Sequence, residues 1–127
     1  MKKRCIIIPL VSFAIVFALL KFVLYIGYVP TASMEPTIMA GEKILGLRIY
    51  VGLERCDIIV FKHENTYMVK RIAACPGDTV KIRDKTIKVP KDCYYVLGDN
   101  CLDSYDSRYW DEPFVFKQNI IAQVIIE

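Results

Sequence analysis

The chain has 127 residues, 54% of them apolar, a mean hydropathy of +0.32 and a net charge of +3. By the usual prior that length is one domain, with room for one modest core. Lys2, Lys3, Arg4 and Lys21 hold four of the 17 basic residues, and the rest of the chain has 13 basic against 14 acidic groups. It therefore carries no basic stripe of the kind that binds nucleic acid.

The chain opens on Met-Lys-Lys-Arg, and from Cys5 to Val29 its only charge is Lys21. About 20 apolar residues span a bilayer as a helix, so this run of 25 predicts a membrane anchor covering residues 1–29. Lys21 stands near the far end, where its stem can snorkel. Tyr25 and Tyr28 suit the outer interface, and the basic tip predicts a cytoplasmic N-terminus. The competing reading is a cleaved leader. Against it stand the length of the apolar run and Pro30, which would occupy the third position before a cut after Ala32.

Pro30-Thr-Ala-Ser-Met-Glu-Pro-Thr37 follows. Its two prolines bias Val29 and Glu35 away from helix, so Ser33 is expected in a stiff loop. Beyond it the pattern turns to strands. Residues 43–50, 57–62, 66–74, 79–83, 86–89, 93–97 and 119–126 read as short strands. His63-Glu64-Asn65, Pro76-Gly77-Asp78 and Asp84-Lys85 read as turns. The expectation is a mostly β protein, an antiparallel sheet or barrel-like domain over residues 30–127 behind a single transmembrane helix.

Three places can carry chemistry. Ser33 needs a partner to take its proton. His63, the only histidine, is expected to be a solvated turn residue and not a base. Lys70 lies in the mostly apolar stretch Tyr67–Cys75, with Met68 and Ile72 on its face. Burial there would lower its pKa and make a usable base, although the residues alone equally allow an edge lysine facing water. The third place is the polar loop Gly98–Arg108. It reads either as a structural loop tied by Asp106 and Arg108 or as a cation loop using Asp99, Asp103 and Asp106. It lacks EF-hand spacing. Cys56, Cys75, Cys93 and Cys101 allow two disulfides or none. No C-x-x-C pair or second histidine points to a metal, and no cofactor is expected.

These pieces, in this order behind an anchor, resemble the type I signal peptidases of bacteria. Ser33-Met-Glu-Pro-Thr37 is similar to the family's serine box, and Cys56-Asp-Ile-Ile-Val-Phe61 to its buried strand. Lys70-Arg71-Ile72 with Pro76-Gly77-Asp78 is similar to its lysine box. Gly98-Asp99-Asn100 through Ser104, Asp106, Ser107 and Arg108 is similar to its last box. The resemblance implies a serine endopeptidase that removes signal peptides from exported pre-proteins. Ser33 would be the nucleophile and Lys70 the general base. Thr31 would supply an oxyanion donor beside the Ser33 N–H. Ser104 would orient the lysine amine, and Asp99, Asp106 and Arg108 would support the site. The partners it implies are signal peptides with small residues one and three positions before the cut, and the lipid bilayer.

Cys56 stands where the family usually has glycine. The 19 residues between Asp78 and Gly98 leave no room for a large insertion, so a minimal core is expected. Ile38-Met39 and Ile44-Leu45, near the serine loop, are expected to dip into the lipid interface. The alternatives are a specialised Ser-Lys peptidase of a conjugation or pilin system, and an inactive membrane-anchored β-module that only binds.

Overall fold

A computed structural model describes residues 2–126. Helix α1 (Lys2–Val23) is followed without a break by strand β1 (Leu24–Tyr28), and a 3-10 turn covers Ala32–Met34. Then come β2 (Lys43–Leu47), β3 (Ile58–His63), β4 (Thr66–Ala74), β5 (Thr79–Ile82), β6 (Lys85–Lys88), β7 (Cys93–Leu97), β8 (Val115–Phe116) and β9 (Ile120–Ile126). Seven strands make one antiparallel sheet in the order β1-β2-β9-β3-β4-β7-β8, and β5 and β6 form a separate hairpin. The mostly β, antiparallel architecture behind one apolar helix is the one expected.

The anchor differs from expectation at its end. The helix stops at Val23, and Leu24–Tyr28 pair with β2 in the register Leu24↔Leu47 to Tyr28↔Lys43. Leu-Tyr-Ile-Gly-Tyr suits a strand, and Tyr25 packs on a core cluster while Ile26 points outward. The 22 residues of α1 still measure about 33 Å, enough to cross a bilayer core. Lys21 lies two residues from the helix end, with its ammonium 5.2 Å from the Phe17 ring centroid.

β3 explains its own sequence. Ile58, Ile59, Val60 and Phe61 are all buried, because the strand has core on both faces. Ile59 and Phe61 join Ile72, Tyr94, Val96, Trp110, Val115 and Ile120. Ile58 and Val60 join Val29, Met34, Ile38, Ile44 and Ala122. Ile38 and Ile44 are therefore core residues, at 0% and 2% exposure, and cannot dip into lipid as expected. Their apolar neighbours Met39 and Leu45 lie at or nearer the surface. Ile49 and Val51 are exposed beside the end of α1 instead, where the Arg48 N–H donates to the Val23 carbonyl at 2.7 Å.

The turns follow from their residues. Glu64 and Asn65 both have positive φ, 44° and 67°, as a two-residue I′ hairpin requires. Cys75–Asp78 closes with Asp78 N–H on the Cys75 carbonyl at 3.0 Å and with Gly77 at φ 88°. The β5–β6 turn falls on Arg83-Asp84, one residue before its expected place. All five cysteines are free in this structure.

Cys56 has φ 75°, in the left-handed region, and its side chain is exposed. That conformation costs an L-residue about 1–2 kcal/mol, of which glycine would return part as unfolded-state entropy. Cys56→Gly is expected to stabilise the protein by about 0.5–1 kcal/mol, read as a higher denaturant midpoint at unchanged slope.

Candidate active site

The serine turn is held from below and from the side. Met34 and Ile38 are both fully buried, each worth about 1.5–3 kcal/mol of apolar burial, and they anchor the turn in the core beneath Ser33. From the side comes the loop after β7. Asn100 N–H donates to the Ser33 carbonyl at 3.0 Å, and Asn100 Nδ2 donates to the Ala32 carbonyl at 3.1 Å. This approach requires Gly98, because a Cβ there would overlap the Ser104 hydroxyl and lie 2.6 Å from the Ser33 carbonyl oxygen.

β4 brings the lysine. Lys70 pairs with Ile59 of β3, and its side chain is only 3% exposed. The buried reading of this residue is thus the one realised, and the edge lysine facing water is not. Lys70 Nζ donates to Ser33 Oγ at 2.6 Å, and Ser33 is itself 7% exposed. Thirty-seven residues separate the two in sequence. Burial pushes the Lys70 amine below its ordinary range, and the Asp106 charge partly opposes this. A neutral amine at this distance can take the hydroxyl proton.

Thr31 Oγ1 lies 3.4 Å from Ser33 Oγ. Ser33 sits in the opening of a 3-10 turn, where backbone N–H groups have no carbonyl partner within the turn.

Ser104 is close but bonded differently from expectation. Its hydroxyl donates to Asp106 Oδ2 at 2.8 Å, and no hydrogen bond joins it to Lys70 among the described residues. A carboxylate is a stronger acceptor than an amine. Asp106 is fully buried and takes bonds from Arg108 Nε at 2.8 Å, Arg108 Nη2 at 2.9 Å and Gly98 N–H at 2.9 Å. Burial pushes this carboxyl up. The bonds from Arg108, Gly98 and Ser104 together outweigh burial and hold it below its ordinary range.

Arg71 and Asn100 fall inside the boxes quoted from the sequence but were given no role of their own there. Arg71 forks onto Asp99 with bonds of 2.9 and 2.6 Å, and also reaches the Cys56 carbonyl at 2.8 Å and Thr37 Oγ1 at 3.5 Å. It ties the serine loop, the entry to β3 and the last loop together. The bond from Arg71 holds Asp99 below the usual carboxylate range. The signals that could have pointed to them were their places in those boxes and, for Arg71, adjacency: it follows Lys70 and so points to the opposite face of β4.

His63 lies apart. It ends β3, four residues from Ile59, which is about 14 Å along the strand. It is not the solvated turn residue expected: its ring stacks on Trp110, centroids 3.9 Å apart, with His63 Nε2 and Trp110 Nε1 both buried and without hydrogen-bond partners among the described residues. No group of three or more His, Cys, Asp or Glu side chains could hold a metal among the described residues.

A cleft of about 170 Å³ opens over Ser33 and Lys70. One wall is β1 and its continuation through Val29, Pro30 and Thr31, and the other is Thr66–Lys70 of β4. β4 pairs with β7 only from Arg71 to Ala74, so Thr66–Lys70 has a strand partner on one side only.

A buried serine hydroxyl is thus bonded to a buried lysine amine beside an unpaired strand edge. Comparison with known proteins gives the class. A family model described as signal peptidase, peptidase S26, matches residues 2–89 and 85–127. The probable signal peptidase I-2 of Synechocystis sp. is 30% identical, covering 83% of this chain and 63% of that protein. Signal peptidase I of Leptolyngbya laminosa is 29% identical, covering 91% and 73%. Signal peptidase I V of Bacillus subtilis is 26% identical, covering 98% of both chains. The chain belongs to the S26 signal peptidase family, whose members are serine endopeptidases.

The Lys70 burial has a consequence for stability. An unfolded lysine keeps its proton up to about pH 10.4, whereas the folded one releases it earlier. Between those two values unfolding takes up a proton, so stability rises with pH and levels off near 10.4. Lys70→Met is therefore expected to raise thermal stability at neutral pH, with a gain that shrinks as pH approaches 10. Melting curves of both proteins across that range check this.

Proposed function

We propose that this chain is a membrane-anchored signal peptidase that cuts exported pre-proteins with Ser33 as nucleophile and Lys70 as general base. The observation that carries the reading is the 2.6 Å contact between two buried side chains, Lys70 Nζ and Ser33 Oγ, in a member of this family. Lys70 takes the Ser33 proton as Oγ attacks the scissile carbonyl. The oxyanion forms toward the Ser33 N–H and the Thr31 hydroxyl. The Lys70 ammonium then protonates the leaving amine, and the acyl-enzyme is hydrolysed by water with Lys70 again as base. The Asp106 charge favours the transient ammonium. Ser104 acts through Asp106, as a positioning residue.

The substrate binds extended in the cleft. Its backbone completes the pairing that the Thr66–Lys70 edge lacks, and the Val29–Thr31 segment lies on its other side. Helix α1 holds the domain at the bilayer, with the basic tip cytoplasmic and residues from Leu24 onward outside. Pre-proteins reach the same surface with their apolar segments in lipid. Ile49 and Val51, exposed beside the end of α1, rest at the interface.

Cleavage of a pre-protein in detergent or vesicles tests the mechanism. Ser33→Ala and Lys70→Ala are each expected to lose about 10⁴-fold or more in rate. Thr31→Ala is expected to lose about 10²–10³-fold in kcat, with most of it retained in Thr31→Ser. His63→Ala is expected to cleave at close to the parent rate, and a collapse there would revive a histidine base. The pH profile is a separate test. Because the base must be unprotonated, kcat/KM is expected to rise with pH along a single limb centred below the ordinary lysine range of about 10.4.

A further inference from the structure

Along β1 the residues Tyr25, Gly27 and Val29 share the face turned to the cleft, and Tyr25 and Gly27 both line it. Gly27 has no side chain, and the Tyr25 ring occupies the place one would take. A Cβ at position 27 would lie 2.7 Å from Tyr25 Cε1, 3.1 Å from its hydroxyl oxygen and 3.2 Å from Cζ. The phenol end is thus folded along the strand toward Val29. The ring is held there on two sides. Its inner side packs on the cluster of Val29, Ile44 and Val60. Against its face lies the Arg48 guanidinium, 5.1 Å from the ring centroid, which is itself fixed by the 3.2 Å bond from Nε to the Leu24 carbonyl.

We infer that Tyr25, by lying over Gly27, is the side chain that closes the cleft to a large residue three positions before the cut. This rests on the proposed substrate mode. In an extended peptide, side chains facing the cleft alternate with those facing away, so the residue before the cut and the third before it point inward, about 7 Å apart. The first lies against Ser33. The third reaches Val29 and Val69, with the Tyr25 ring as the next obstacle along the wall. Size selection at that position is then set by a removable side chain and not by backbone.

The test compares matched peptides with Ala or Leu at the third position before the cut, using the full chain in detergent micelles. A second pair varies only the residue before the cut. Tyr25→Ala is expected to raise the Leu-to-Ala ratio of kcat/KM at the third position by about ten-fold or more, the range one to several buried methylenes can supply. Tyr25→Phe, which keeps the ring, is expected to hold the parent ratio. Tyr25→Val keeps an apolar strand residue and is expected to move the ratio the same way, so a poorly folded Tyr25→Ala does not remove the test. An unchanged ratio in the folded variants, or relaxation only at the residue before the cut, overturns the inference. Loss of Ser33 dependence in the parent would instead overturn the proposed mechanism, and the two failures are distinguishable.

Discussion

The placement of one amine governs the site. Lys70 stands in the middle of a strand, with Met68 and Ile72 of the same face packed on the core. Taking a charged ammonium out of water is costly, and the cost falls as the amine gives up its proton. The environment that destabilises the ammonium is the one the general base of the proposed mechanism needs. The nearby Asp106 charge opposes part of that shift. Stability and reactivity are thus in tension at this residue, as is common where burial tunes an ionisable group.

Everything else near the serine holds geometry. The turn carrying Ser33 is short and cannot be rigid alone. Met34 and Ile38 seat it in the core, and Asn100 grips its two carbonyls from the last loop. That loop is in turn secured by two charge-assisted forks, Arg71 on Asp99 and Arg108 on Asp106. Three distant segments are thereby tied together. At the cleft walls, β4 has an unfilled edge and Tyr25 overlies Gly27.

Elements with their own periodicity or turn chemistry were legible. The strand at Ile58–His63, the long return through Ala74 and the Glu64-Asn65 turn fall within a residue or two of their expected places. The helix end was not legible. Leu24–Tyr28 is as apolar as the segment before it, and only pairing with β2 makes it a strand. The same limit applies to Ile38 and Ile44. An apolar residue near a membrane anchor can face lipid or core, and the pattern alone does not distinguish them.

By itself, the sequence determined the apolar anchor, the alternating strands, and the candidate groups Thr31, Ser33, Lys70, Asp99, Ser104, Asp106 and Arg108. The anchor and strands depend on local composition and periodicity, and the roles of Thr31, Asp99 and Ser104 only on the resemblance of the ordered motifs to the signal peptidases. Tertiary structure alone decided that Lys70 is buried and not an edge lysine, because burial depends on what β3 and the serine turn bring against it. It also decided that Ser104 turns to Asp106, that Arg71 joins three loops and that Tyr25 fills the space over Gly27. Each of these depends on which acceptor, charge or void lies within a few ångströms once the strands have paired.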